Sequence, residues 1–273
     1  MTMNRVLLAF QFLTIIPIRT RGEVSAGELP AAASFFPVVG AFQGLLAVAV
    51  SAFCSALFSD EITGCLVLLI LIAVNGGFHL DGLADTFDGL AVKSVGDIAH
   101  DRERRLAVMK DSATGAAGAV ALILVILLKY LLIRDILLHS SSITRYALLF
   151  LLPVFSRWSM VLALSLGKPA RKEGLGSVFI DAVGRKEVII SSLATLLPCL
   201  VVTGLLQYTR YAPIAAMLPV VLCAVLYIFC FLSVKYLSMK FGGLTGDCFG
   251  AVSEISEIVF LMVASLWLQR SIS

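Results

Sequence analysis

The chain has 273 residues, of which 59% are hydrophobic and 14% are Asp, Glu, Lys or Arg, and its formal net charge is +3. A mean hydropathy of +0.99 excludes a soluble globular protein and predicts an all-α, polytopic membrane bundle, formed as a single domain over residues 1–273. We expect the lipid bilayer, and not a nucleic acid, to be its surrounding partner.

Residues 1–20 contain an apolar stretch that is short for a membrane span and is interrupted by Pro17. This pattern favours an interfacial or re-entrant helix. A cleaved signal peptide is the alternative, because Arg5 followed by apolar residues imitates the charged and hydrophobic regions of such a peptide.

Seven longer apolar segments follow, and each approaches the roughly 20 residues that a transmembrane helix needs. The predicted spans are residues 33–57, 62–78, 113–138, 145–166, 187–208, 212–234 and 251–269. With the N-terminus inside, most of the basic loop residues fall on one side of the membrane, which the positive-inside rule makes cytoplasmic. We therefore expect an inner-membrane protein whose polar loops 93–112, 167–186 and 240–250 face the cytoplasm.

The segment 77–90, GFHLDGLADTFDGL, places one histidine and three aspartates at the end of an apolar run. In a helix, Asp81, Asp85 and Asp88 are at positions i, i+4 and i+7, within about 60° of arc, so their carboxylates share one face. A hard cation such as Mg2+ would relieve their mutual repulsion and keep positions for substrate phosphates. The pattern predicts a metal site, and an acidic helix end at the membrane interface is the structural alternative.

A charged segment follows the acidic motif and leads into a Gly/Ala-rich start of the third predicted span. Arg102 and Arg105 are one helical turn apart, and their guanidinium groups, together with Lys110, suit phosphate oxygens. A solvated basic helix that obeys the positive-inside rule explains the same residues without a ligand.

A second acidic face is predicted near the C-terminus, where Asp247, Glu254 and Glu257 fall within about 80° on a continuous helix. The two glutamates would enter the membrane, where ionisable side chains are costly and need partners. They could complete a metal site, hold a substrate amide or hydroxyl, or pair with Arg157, the charged residue inside the fourth predicted span. A purely structural ion pair between these groups is the alternative.

Several of these segments together resemble the cobalamin synthase family, CobS, whose members are membrane adenosylcobinamide-GDP ribazoletransferases. The matching stretches are GGFHLDGLADTFDGL, RERRLAVMKDS with the following GAAGA, PARKEGLGSVF and GLTGDCFGAVSEISE. The N-terminal FLTIIPI and PVVGAFQGLL also resemble the opening of the family. The resemblance spans essentially the whole chain.

This resemblance implies the final joining step of cobamide assembly. α-Ribazole or its 5′-phosphate reacts with adenosylcobinamide-GDP in a Mg2+-dependent transfer that gives adenosylcobalamin or its 5′-phosphate and releases GMP. Attack of a ribose hydroxyl on a diphosphate needs a metal clamp, positive charge at the leaving group and a base. The predicted cytoplasmic face carries residues of all three kinds.

The residue patterns, considered together with this resemblance, predict roles for individual residues. Asp81, Asp85 and Asp88 are the expected metal ligands, with Asp247 as a further ligand, and either His79 or Asp88 is the expected base. The expected substrate contacts are Arg102, Arg105, Lys110, Arg157, Arg171, Glu254 and Glu257.

Two other functions remain open at this point. An intramembrane prenyltransferase would also hold a diphosphate through Mg2+, but it should show two separated DxxxD-type motifs. A secondary transporter would explain acids within the membrane, but it predicts internal repeats and broken helices near the bilayer midplane. The oligomeric state is also open, and a homo-oligomer is compatible with the sequence.

Overall fold

The structure, a computed structural model, describes residues 2–20, 27–171, 175–180, 182–209 and 215–270. Within these ranges the regular elements are helices, apart from one isolated backbone bridge, which confirms the all-α prediction. The first helices are α1 (Thr2–Leu13), α2 (Glu28–Ala32) and, after one turn of 3-10 helix, α3 (Phe36–Cys54). They are followed by α4 (Asp60–Val74), α5 (Phe78–Ala91), α6 (Ile98–Val108), α7 (Ala116–His139), α8 (Ser142–Leu166), α9 (Leu175–Ile180), α10 (Arg185–Leu206), α11 (Met217–Phe241) and α12 (Gly246–Arg270).

Six helical segments in the described part of the chain are long and apolar enough to cross a membrane, and a seventh crossing exists if α4 and α5 count as one broken span. The polytopic prediction is therefore confirmed, with shifted boundaries. The first segment is Glu28–Cys54 instead of 33–57, and the last begins at Gly246 instead of 251. The predicted start of the sixth span, residue 212, lies outside the described residues.

The second predicted span, residues 62–78, differs most from the structure, because it is not one continuous helix. Helix α4 ends at Val74, and α5 leaves it at an angle of 86°. Gly76 and Gly77 have φ values of 64° and 73°, a left-handed conformation that glycine adopts without a Cβ clash and that interrupts a right-handed helix. The adjacent Asn75 accepts a hydrogen bond from Gln43 on α3 at 2.5 Å. The acidic motif therefore begins a new helix instead of ending an old one.

Helix α8 forms the centre of the bundle. In the most apolar 18-residue stretch of α8, 94% is buried. The corresponding share is 22% to 28% in α7, α10 and α11, whose apolar side chains point outward. Helix α3 packs closely along α8, because Cβ atoms at Gly40 and Gly44 would meet the backbone of Pro153 and Phe150. Helix α12 packs on α8 and on α5. Helices α3, α5, α8 and α12 therefore meet in one core.

Helix α1 has 12 residues, too few to span a bilayer, as the sequence predicts. It is nevertheless part of the bundle, since Leu8, Ala9 and Leu13 are buried in the main core. After its end, the amide of Ile15 donates to the Val74 carbonyl at 3.0 Å, which ties this segment to the bend between α4 and α5.

Candidate active site

Helix α5 carries the three aspartates on one helical face, as the spacing predicts. Their burial increases along the helix: Asp81 is exposed, Asp85 is half-buried and Asp88 is buried. The described residues donate no hydrogen bond to the carboxylates of Asp81 and Asp85, so these oxygens are available to a ligand. The acidic face thus contains two aspartates with uncommitted oxygens.

The start of α12 lies directly against this face. A Cβ at Gly82 would meet the backbone of Asp247, and a Cβ at Gly250 would meet the backbone of His79, so the two helices approach more closely than larger residues would allow. The Asp85 carboxylate interacts electrostatically with Asp247 as well as with its neighbours on α5. The structure therefore brings the two acidic motifs, far apart in sequence, to one end of the bundle.

Asp88 has a different environment. One of its oxygens accepts from the amide of Gly115 at 2.7 Å and the other from the amide of Gly118 at 2.8 Å, both at the beginning of α7. The first amides of a helix have no partner within it, so this carboxylate acts as their cap. Each oxygen therefore accepts one amide hydrogen and has one further acceptor site, and the roles of Asp88 as metal ligand and base stay a prediction.

Arg157 is fully buried where the four core helices meet. Its Nε donates to Gln43 on α3 at 3.1 Å, and its Nη1 donates to Ser253 on α12 at 2.6 Å. The same Nη1 lies 3.1 Å from Nδ1 of His79. Of the possibilities left open for the glutamates, an ion pair with Arg157 is not formed among the described residues, since the hydrogen-bond partners of Arg157 are neutral groups.

The two glutamates pair with Lys129 of α7 instead. The Lys129 ammonium lies 2.6 Å from Glu254 and 2.5 Å from Glu257, and all three side chains are buried. On a helix that rises 1.5 Å per residue, these glutamates lie about 10 and 15 Å deeper than Asp247. The predicted second acidic face is thus split by depth. Both glutamates contact a lysine of the protein, and their roles as substrate contacts stay a prediction. A lysine inside an apolar span was the signal for this partner.

The basic residues gather at the same end of the bundle as the acidic face. Arg105 donates to the backbone carbonyl of Lys240 at 3.2 Å, and Arg171 donates to the carbonyl of Leu106. The segment before Arg171 is joined to the segment before α12, where Ala170 donates to Leu244 at 2.9 Å. Three of the predicted cytoplasmic loops therefore converge.

The four basic residues that were predicted to contact the substrate differ in their surroundings. Arg171 interacts electrostatically with Asp247, so its charge reaches the acidic face. Arg102 packs beside Gly242, and Lys110 is exposed. Arg105 is buried and serves mainly to hold α6 on α11. Arg171 is therefore the basic residue that the structure associates most directly with the site.

The donor set of the acidic face fits Mg2+, which takes oxygen ligands. Within the described residues, no three His, Cys, Asp or Glu side chains are arranged to hold a metal ion by themselves. Magnesium is commonly bound by one or two carboxylates, with waters and substrate phosphates completing its octahedron. Asp81 and Asp85, with Asp247 nearby, can provide these one or two carboxylate ligands.

Comparisons with known proteins identify the family of this chain. Residues 5–265 match the family described as cobalamin-5-phosphate synthase, CobS. The adenosylcobinamide-GDP ribazoletransferase of Thermodesulfovibrio yellowstonii is 36% identical over 269 residues, 97% of this chain and 98% of that protein. Enzymes of the same name from Geotalea daltonii and Clostridium tetani are 38% and 32% identical, over 93% and 94% of this chain and 94% of each relative. No solved structure matches the chain. The chain therefore belongs to the CobS family of cobalamin-synthesis enzymes, which confirms the resemblance seen in its motifs.

Proposed function

We propose that this protein joins α-ribazole, or its 5′-phosphate, to adenosylcobinamide-GDP and releases GMP. The observation that carries the proposal is the packing of α12 on α5, which places Asp247 beside the uncommitted carboxylates of Asp81 and Asp85. Family membership favours this transfer over the prenyltransferase and transporter alternatives. The loops that converge at this end are basic, which supports a cytoplasmic orientation in the inner membrane.

In the proposed reaction, a ribose hydroxyl oxygen attacks the phosphorus next to the cobinamide. A new phosphate ester bond forms, the bond to the GMP phosphate breaks, and the hydroxyl proton passes to a base. Bound Mg2+ would neutralise charge on the diphosphate and on the leaving GMP. Asp81 and Asp85 would hold it, and Asp247 would complete the site from α12.

The base is assigned by comparing Asp88 with Asp85. Both oxygens of Asp88 accept amide hydrogens, so a further proton there would disrupt a helix cap. Asp85 is half-buried in the middle of the acidic face and accepts no hydrogen bond from a described side chain or amide. We therefore propose that Asp85 accepts the hydroxyl proton, with a position that also allows it to contact Mg2+.

Positive charge at the leaving group would come from Arg171, which already interacts with Asp247. Arg102 of α6 is a second candidate, because its Nε is buried without a hydrogen-bond partner among the described residues. A guanidinium group in either position could bind the GMP phosphate through paired N–H donors.

GMP release from adenosylcobinamide-GDP and α-ribazole 5′-phosphate tests the proposal directly. We expect the purified protein to release GMP only with Mg2+ present, and Asp85→Asn to lower kcat by at least about 100-fold, as expected when one acid–base group is lost. The melting temperature of the variant should stay close to that of the wild type, because Asp85 accepts no side-chain or amide hydrogen bond from the described residues.

Asp60→Asn is the matched control, since it makes the same chemical change at the start of α4, the far end of that 15-residue helix. It should leave GMP release unchanged. Failure of the folded wild-type protein to release GMP would contradict the function itself. Full activity in Asp85→Asn would keep the reaction and reject the assigned base.

A further inference from the structure

An apolar cavity of about 390 Å3 opens beside the acidic face, between α1, α3, α5, α8, α9 and α12. Its volume is near the lower end of the range of small-molecule sites, roughly 300 to 1,000 Å3. Aromatic rings dominate its wall, from Phe12, Phe36, Phe78, Phe179 and Phe249. The rings of Phe12, Phe36 and Phe179 contact one another, with centroids 4.7 to 6.0 Å apart. The wall is therefore shaped by packed rings.

Among the described residues, the polar side chains that line this cavity are those of Gln11, His79 and Asp247. Asp247 belongs both to the cavity wall and to the acidic face, so the two spaces adjoin. A molecule could thus have an apolar part in the cavity and a hydroxyl group at the carboxylates.

The hydrogen-bond role of His79 follows from its partner. Arginine has five N–H donors and no acceptor, so at 3.1 Å from Nη1 of Arg157 the Nδ1 of His79 must accept. A neutral imidazole whose Nδ1 accepts carries its hydrogen on Nε2. His79 therefore presents an N–H donor from its other nitrogen, and it is not arranged to act as the base.

We propose that this cavity binds the aromatic base of ribazole, and that the Nε2–H of His79 donates a hydrogen bond to the unsubstituted ring nitrogen of that base. The inference rests on the proposed function and identifies where one of its two substrates binds. With the base in the cavity, the attached ribose extends past Asp247, so its hydroxyl reaches the acidic face.

The chemistry of the wall favours this occupant over the others that the reaction supplies. Ribazole carries a flat benzimidazole with two methyl groups and one free ring nitrogen, which needs apolar contacts and a single donor. Guanine has several polar edge groups, and burying them against phenylalanine rings would leave them without partners. A corrin ring is much larger than the cavity. Packed rings therefore suit the base of ribazole.

Filling the cavity tests its assignment. Leu164 lines the cavity and is 3% exposed. Leu164→Trp should raise KM for α-ribazole about tenfold or more, while KM for adenosylcobinamide-GDP stays within about twofold. Leu193→Trp is the matched control, because Leu193 lines a separate cavity on α10 and is 60% exposed. It should change neither KM.

Three further variants keep the test informative if Leu164→Trp does not fold. Phe78 is 62% exposed, so Phe78→Ala should be tolerated and should weaken α-ribazole binding several-fold in calorimetry of the detergent-purified protein. His79→Gln retains an N–H near the Nε2 position and should keep most activity. His79→Leu loses the donor and should raise KM for α-ribazole about tenfold, as expected for one buried hydrogen bond.

The outcomes separate this inference from the proposed function. If the wild-type protein releases GMP but Leu164→Trp and Phe78→Ala leave the α-ribazole KM unchanged, the cavity holds something else, such as a lipid acyl chain, and the inference is rejected. A larger rise in the KM for adenosylcobinamide-GDP would assign the cavity to that substrate. Equal loss of kcat in His79→Gln and His79→Leu would restore His79 as the base.

Discussion

Helix α12 carries acidic side chains in two regions with opposite properties. At its start, Asp247 lies beside Asp81 and Asp85 of α5, whose oxygens have no protein partner among the described residues. Deeper in the bundle, Glu254 and Glu257 both contact the Lys129 ammonium. Asp81 and Asp85 are thus left available to a ligand beside Asp247, which accepts from the Thr245 hydroxyl, while the deeper glutamates are neutralised by Lys129.

This difference shows why residue type alone does not identify a site. A buried charge without a partner is strongly destabilising, so the deep glutamates require a cation that the chain itself supplies. Carboxylates near the end of the bundle can remain unpaired at lower cost, because water and a bound cation can solvate them. Available oxygens at an accessible end are therefore the better indicator of function.

The largest effect on stability should come from removing the lysine of the buried ion pairs. Lys129→Met leaves two buried carboxylates without their cation, and we expect the free energy of unfolding to fall by about 3–5 kcal/mol. Thermal unfolding in detergent would measure this as a lower melting temperature. The triple variant Lys129→Met/Glu254→Gln/Glu257→Gln removes the charges together and should recover much of the loss. An unchanged melting temperature in Lys129→Met would mean that the glutamates have another partner.

A smaller effect is expected at Asp88, which is similar in sequence to Asp85 but caps α7. Asp88→Asn replaces one accepting oxygen with an amide nitrogen, so one of the amides of Gly115 and Gly118 loses its acceptor. We expect a loss of about 1–3 kcal/mol in stability and nearly normal GMP release per folded molecule. Asp85→Asn should show the reverse, with lost activity and normal stability. A folded Asp88→Asn protein without activity would return Asp88 to the catalytic site.

The smallest effect should be at Asp101 of α6, outside the spans. Its carboxylate accepts from the hydroxyl of Ser94 and from the amide of Val95, and these bonds hold the pKa of Asp101 below its usual range. The stability from a depressed pKa is present above the ordinary value, near pH 4, and disappears as pH falls through the folded-state pKa. Asp101→Asn should therefore lower the melting temperature slightly at pH 7 and progressively less below pH 4. The same decrease at both pH values would contradict this assignment.

Local patterns predict much of this protein. Apolar segment length predicts the spans within several residues, and the spacing of Asp81, Asp85 and Asp88 predicts a shared helical face. The bend after Val74 was harder to predict from local patterns, because two glycines permit a left-handed turn without requiring one. Long-range partners were the least predictable: a glutamate was one of the partners considered for Arg157, which instead contacts Gln43, Ser253 and His79.

The sequence by itself determined the membrane class, the helical content, the family and the acidic face of α5, since hydropathy, periodicity and motifs are properties of neighbouring residues. Only the tertiary structure decided which charged groups are available. The close packing at Gly82 brings Asp247 to α5, and Lys129 of α7 neutralises the deeper glutamates of α12. The reason is that the free energy of a charge in a membrane protein depends on its depth and its neighbours from other helices, which the chain acquires only on folding.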